Sequence, residues 1–96
     1  MTLADLDAAV RSSTALPGSA PALVRALWHD ATGDWEQAHQ VAQDVETADG
    51  SWVHAYLHRK EGDLGNAGYW YRRAGKPIAT GPLEDEWRAI AAALLA

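Results

Sequence analysis

The chain has 96 residues and no cysteine, so it has room for one modest core and cannot form a disulfide framework or a thiolate zinc site. Its net charge of −5 argues against general nucleic-acid binding, which depends on lysine and arginine side chains that neutralise phosphates. The charge is uneven, because residues 1–50 hold two basic and eight acidic side chains whereas residues 51–96 hold six basic and five acidic ones.

The first half of the chain is predicted to form three helices. Thr2 and Asp5 form a predicted capping pair, which indicates a short first helix. The turn-forming segment 12–19 ends that helix. Pro21 predicts the first turn of a second helix, which Gly33 ends. Asp34 then has the position and chemistry of the cap of a third helix.

The second half is predicted to form three more helices. Ser51 is expected to cap the fourth helix, Gly62 to end it, and Asp63 to cap the fifth. Apolar residues recur on one face of the segment 82–95, which predicts the sixth helix. The expected fold is a single all-α domain of antiparallel helical hairpins, at about residues 20–46 and 50–75, with a capping helix at about 82–95.

The two predicted hairpins resemble each other at a constant offset of 29 residues. The identical pairs are Ala26 and Ala55, His29 and His58, Gly33 and Gly62, Asp34 and Asp63, and Ala38 and Ala67. Each pair falls where a hairpin needs a special residue, since a glycine turns the corner, an aspartate caps the next helix and alanines allow close helix packing. This self-similarity indicates an internal repeat.

The second copy, with Ala55, Gly62-Asp63, Ala67, Tyr71 and Ala74, resembles the latter part of a tetratricopeptide or Sel1-like repeat. The offset is shorter than the ~34 residues of tetratricopeptide repeats. Residues 54–63 (HAYLHRKEGD) and 69–75 (YWYRRAG) also resemble a widespread family of small uncharacterised bacterial proteins, over about residues 25–77. That resemblance implies a family but no named activity.

Histidines provide one candidate site. His54 and His58 stand four residues apart on one helix face, with Glu61 three residues further on, which is metal-ligand spacing. However, His58 has a counterpart in His29, so a shared structural role in the two hairpins explains it without a metal. His39 stands alone in the sequence, and a surface or partly buried position is expected for it. We therefore expect no bound metal.

Cations interleaved with aromatic residues provide the second candidate site. Guanidinium groups can hold anions while aromatic rings stack beneath them, although cations in the last turn of a helix also complement its dipole. The residues predicted to bind a ligand or partner are His54, His58, Arg59, Tyr69, Trp70, Arg72 and Arg73.

The sequence predicts a binding or scaffolding module and not an enzyme. It shows no nucleophile constellation and no phosphate-binding loop, so no catalytic residue and no cofactor are expected. A protein or peptide partner is expected, and short repeat arrays favour a homodimer. No ~20-residue apolar span or basic leader is present, which predicts a cytoplasmic protein without a membrane partner. The alternative is a metal- or small-molecule-binding enzyme that uses the face of His54 and His58.

Overall fold

The computed structural model describes all residues from 1 to 96 and contains six helices and no strand. The helices are α1 (Leu3–Ser12), α2 (Ala22–Ala31), α3 (Trp35–Asp44), α4 (Ala48–Glu61), α5 (Leu64–Ala74) and α6 (Leu83–Leu94). The all-α prediction is therefore confirmed. None of these helices has the length and apolar character required to cross a membrane.

Local capping explains where three of the helices begin. Thr2 and Asp5 form a reciprocal capping box at the start of α1. The Asp34 carboxylate accepts a hydrogen bond from a backbone N–H in the first turn of α3, at 3.1 Å. Asp63 does the same at the start of α5, at 3.2 Å. In each case a side chain satisfies a backbone donor that the helix itself leaves unpaired.

The predicted start of the fourth helix is wrong by one turn. Thr47, and not Ser51, caps α4, because the Thr47 hydroxyl accepts a hydrogen bond from the Gly50 backbone N–H at 3.0 Å. Ser51 is instead buried inside the helix. The missing side chain of Gly50 is what lets α4 pass against the Val45 carbonyl, where a Cβ atom would collide.

The two hairpin corners have the same backbone geometry. Gly33 and Gly62 have φ angles of 94° and 92°, in the left-handed region that side chains disfavour. The backbone N–H groups of Asp34 and Asp63 each donate to the carbonyl five residues earlier, at 2.8 and 3.0 Å. The repeat seen in the sequence therefore corresponds to a repeated helix–turn–helix corner.

Helix α4 occupies the centre of the fold and packs against α2, α3, α5 and α6. Its run from Val53 to His58 is buried all round. The main core combines small and large apolar residues from five helices and from the α1–α2 connection: Leu6, Leu16, Leu23, Val24, Ala26, Leu27, Ala38, Ala42, Val53, Tyr56, Leu57, Trp87, Ile90 and Ala91. Because α4 is surrounded, its polar residues must find partners inside the protein.

Two buried carboxylates connect α4 to its neighbours. Asp30 of α2 accepts hydrogen bonds from the Tyr56 hydroxyl at 3.0 Å and from the Lys60 ammonium at 2.9 Å. Glu86 of α6 accepts hydrogen bonds from the Tyr71 hydroxyl and pairs with the Arg59 guanidinium at 3.0 Å. These polar contacts fix how α2, α5 and α6 sit around the central helix.

Candidate functional site

Three histidines from two helices meet beside the central helix. His54 and His58 project from α4, and His39 reaches them from α3. The centroid of the His39 ring lies 4.7 Å from that of His54 and 5.1 Å from that of His58, and the His54 and His58 centroids are 4.8 Å apart. One ring nitrogen of each residue lies within 4.8 Å of the corresponding nitrogens of the other two. We call these residues the histidine cluster.

Two members of the cluster share a hydrogen bond. The Nε2 atoms of His39 and His54 are 3.0 Å apart, so one must carry a hydrogen and the other must present a lone pair. The pKa of His54 is lowered to about 4, mainly by burial and then by the neighbouring His39 and His58 imidazoles. The pKa of His39 is also lowered. Burial is the larger cause, and the electrostatic effect of His58 is the second. Both rings are therefore neutral at pH 7.

The third member is oriented by polar groups at both ring nitrogens. His58 Nδ1 lies 2.6 Å from the Glu61 carboxylate, and its Nε2 lies 3.3 Å from the Asn66 side-chain amide. A carboxylate can only accept a hydrogen bond, so the Nδ1 atom of His58 is the one that carries a hydrogen. Glu61 thus selects one tautomer of His58.

Two tryptophan rings flank the cluster. Trp35 stacks on His39 with ring centroids 4.9 Å apart and 9° between the planes. Trp70 stacks on His54 with centroids 3.9 Å apart and a 19° angle. Trp35 is itself fixed, because its indole N–H donates to the Leu57 carbonyl at 2.9 Å. The rings hold two imidazoles in defined planes and limit their contact with water.

The outward surface of α5 forms the second candidate region. Tyr69, Arg72 and Arg73 are exposed on it, and Trp70 connects it to His54. The Arg73 guanidinium lies 5.2 Å from the Trp70 ring centroid and donates to the Tyr69 hydroxyl at 3.1 Å. We call the exposed set Leu64, Tyr69, Arg72, Arg73 and Ile78 the α5 face.

The structure separates Arg59 from the other predicted binding residues. Its guanidinium pairs with the buried Glu86 carboxylate and also donates to the Gly81 carbonyl. The pKa of Tyr71 is raised, first by burial and then by its hydrogen bond to Glu86. Arg59 is thus occupied in joining α4 to α6, and it lines a cavity with Lys76 and Ile78 instead of joining the histidine cluster.

Sequence reasoning missed His39, which does not stand alone in the fold. Its separation of 15 residues from His54 gives no recognisable spacing, because the contact depends on how α3 packs against α4. The comparison of His58 with His29 was also misleading. Their backbones match, but the His29 ring packs edge-on against Trp28 whereas the His58 ring joins the cluster. The only available signal was a histidine near the middle of each of two adjacent helices.

Three surface cavities of more than 200 Å³ accompany these groups. The largest, about 410 Å³, is lined by residues that include Asp30, Tyr56 and Lys60. A smaller one of about 220 Å³ lies between α3, α4 and α5 and is bordered by His54, Trp70 and Arg73. A scan against models of protein families finds no match, and neither curated proteins nor solved structures provide one.

Proposed function

We propose that this chain is a small helical binding module that docks a protein segment on its α5 face. The observation that carries the proposal is where exposed apolar side chains concentrate. Of the four large hydrophobic residues that are exposed, Leu64, Tyr69 and Ile78 belong to this face, with 68%, 45% and 61% of their surface accessible. Three of the four thus belong to α5 or to the connection that follows it, and exposed apolar groups concentrated in one segment are typical of interaction sites.

The charge of the face specifies the partner. Arg72 and Arg73 lie among these apolar groups, and Lys76 follows in the next turn of chain. The rest of the molecule is acidic, so this basic area differs from its surroundings. Arginines offer forked donors that suit carboxylates, and stacked rings beside them add apolar contact. The partner we propose is therefore a protein segment that combines carboxylates with apolar side chains.

The resemblance to tetratricopeptide and Sel1-like repeats supports the same proposal, since such repeats present extended binding surfaces. A second copy of the chain is the other occupant to consider, because its acidic first half complements the basic face. We therefore treat homodimer formation through the α5 face as the competing outcome of the test. The enzyme alternative rests on the histidine cluster alone and is not needed for this function.

The test is a photo-crosslinking amino acid placed at position 69 in the native cells, followed by reconstitution with the purified protein that it captures. Charge reversal in Arg73→Glu is expected to weaken the reconstituted complex by at least ~10-fold, because it places like charges together. Arg11→Glu is the matched control, since Arg11 is exposed on α1, which packs on α2, whereas α5 packs on α4. We expect it to change the affinity less than ~2-fold.

Two results would count against the proposal. Equal affinities for the wild type, Arg73→Glu and Arg11→Glu would show that the α5 face does not contact the partner. Crosslinking to a second copy alone, with sedimentation giving a dimer that Arg73→Glu dissociates, would replace the partner with a homodimer.

A further inference from the structure

The proposed docking of a protein segment on the α5 face gives no role to the histidine cluster. Two histidines on one helix make a weak metal site, and Glu61, the other candidate in the sequence, is paired with His58 Nδ1 in the fold. The fold supplies it, because packing of α3 on α4 brings the His39 Nε2 atom to 3.0 Å from that of His54. Three imidazoles within 4.8 Å of one another are the protein ligand set of many catalytic zinc sites.

The distances are close to those that a metal ion requires. Nitrogen ligands lie ~2.0–2.1 Å from Zn²⁺, so two of them in a tetrahedral shell are about 3.3 Å apart. The 3.0 Å separation of the His39 and His54 nitrogens needs to widen by only a few tenths of an ångström. His58 needs to approach by up to about 1.5 Å, which a small rotation of its side chain provides.

The groups around the cluster also match those of a metal site. The Glu61 carboxylate accepts a hydrogen bond from His58 Nδ1, with 2.6 Å between the nitrogen and the oxygen, so Nε2 is the ring nitrogen left to bind a metal. Such carboxylate–histidine pairs orient metal ligands and increase their basicity. The stacking of Trp35 on His39 and of Trp70 on His54 fixes two of the three ring planes. Because two of the three rings are already held in place, little side-chain freedom is lost when a cation binds.

The geometry points to a three-histidine site for a late first-row divalent metal ion, with Zn²⁺ as the expected occupant and His39, His54 and His58 as ligands. Imidazole ligands suit zinc, copper and nickel, whereas magnesium and calcium prefer oxygen. Three protein ligands leave a fourth coordination position for water or another small ligand. The Asn66 amide, 3.3 Å from His58 Nε2, is displaced when the metal binds.

The experiment uses the full chain without an affinity tag, stripped with chelator and titrated with Zn²⁺ and, separately, with Co²⁺. Calorimetry should give one Zn²⁺ per chain, and Co²⁺ should produce the visible absorption of tetrahedral coordination. His39→Ala, His54→Ala and His58→Ala should each weaken zinc binding by at least ~100-fold, and Glu61→Ala by ~10–100-fold as an outer-shell change. His29→Ala is the matched control, because His29 is the one histidine outside the cluster.

Some variants risk losing stability, so circular dichroism accompanies each titration, and His39→Gln serves as a second variant at the least buried position of the cluster. The thermal midpoint of the wild type should rise with Zn²⁺ while that of folded His39→Gln should not. Sub-stoichiometric binding, or wild-type affinity in folded His39→Gln, would overturn the site. An equal loss in His29→Ala would do the same, since it would indicate adventitious surface binding. These readouts are independent of any partner that docks on the α5 face.

Discussion

Acidification should destabilise the metal-free protein through the histidine cluster. The pKa of His54 is lowered from 6.5 to about 4 by burial and by the adjacent imidazoles. A folded-state pKa below the unfolded value means that the unfolded chain binds the extra proton first. The resulting contribution to stability is complete above about pH 6.5 and is lost progressively as the pH falls to about 4.

The pKa shift sets the magnitude of this effect. Each pKa unit corresponds to about 1.4 kcal/mol, so the shift of His54 gives at most ~3 kcal/mol between the two limits. At pH 5, protonation linked to His54 should have lowered the free energy of unfolding by about 2 kcal/mol. The lowered pKa of His39 acts in the same direction.

The assay is urea unfolding with chelator present at pH 7.5, 6.5, 5.5 and 5.0, where most carboxylates remain ionised. The wild type should lose stability on acidification more steeply than His54→Gln, by roughly 1 kcal/mol per pH unit below pH 6. His29→Gln is the control and should retain the wild-type slope. Parallel slopes for the wild type and His54→Gln, or a wild type that gains stability in acid, would refute the assignment of a buried neutral cluster.

Three further changes test the packing around α4 by denaturant unfolding at pH 7. Asp63→Ala removes the cap of α5 and should cost ~0.5–2 kcal/mol, and an unchanged midpoint would argue against the cap. Glu86→Ala leaves the guanidinium of Arg59 and the hydroxyl of Tyr71 without their buried acceptor, so a loss of ~3–5 kcal/mol is expected. Gly50→Ala introduces a collision with the preceding turn and should cost at least ~1–3 kcal/mol, whereas a stability equal to wild type would contradict the close approach.

The sequence was most informative where structure depends on neighbouring residues. Helix ends follow from caps and left-handed corners, and these need only a few adjacent residues, as at Asp34 and Asp63. The start of α4 was misplaced because Thr47 and Ser51 have the same capping chemistry. They differ in burial, since Ser51 faces the interior of the fold while Thr47 lies exposed at the helix end.

The candidate sites depended on contacts between helices, to which a sequence pattern has little access. Helical spacing placed His54 and His58 on one face, but it could not show that His39 would join them across the α3–α4 contact. It likewise grouped Arg59 with the other cations, although a carboxylate 27 residues away pairs with it in the fold.

The sequence by itself thus determined the six helices and their repeated corners, because caps, glycines and helical periodicity act within one or two turns. Only the tertiary structure decided which polar side chains meet. The physical reason is that the middle of α4 is buried from Val53 to His58, so a polar group there must be satisfied by whichever helix packs against it. For His54 that partner is a histidine, and for Arg59 it is Glu86.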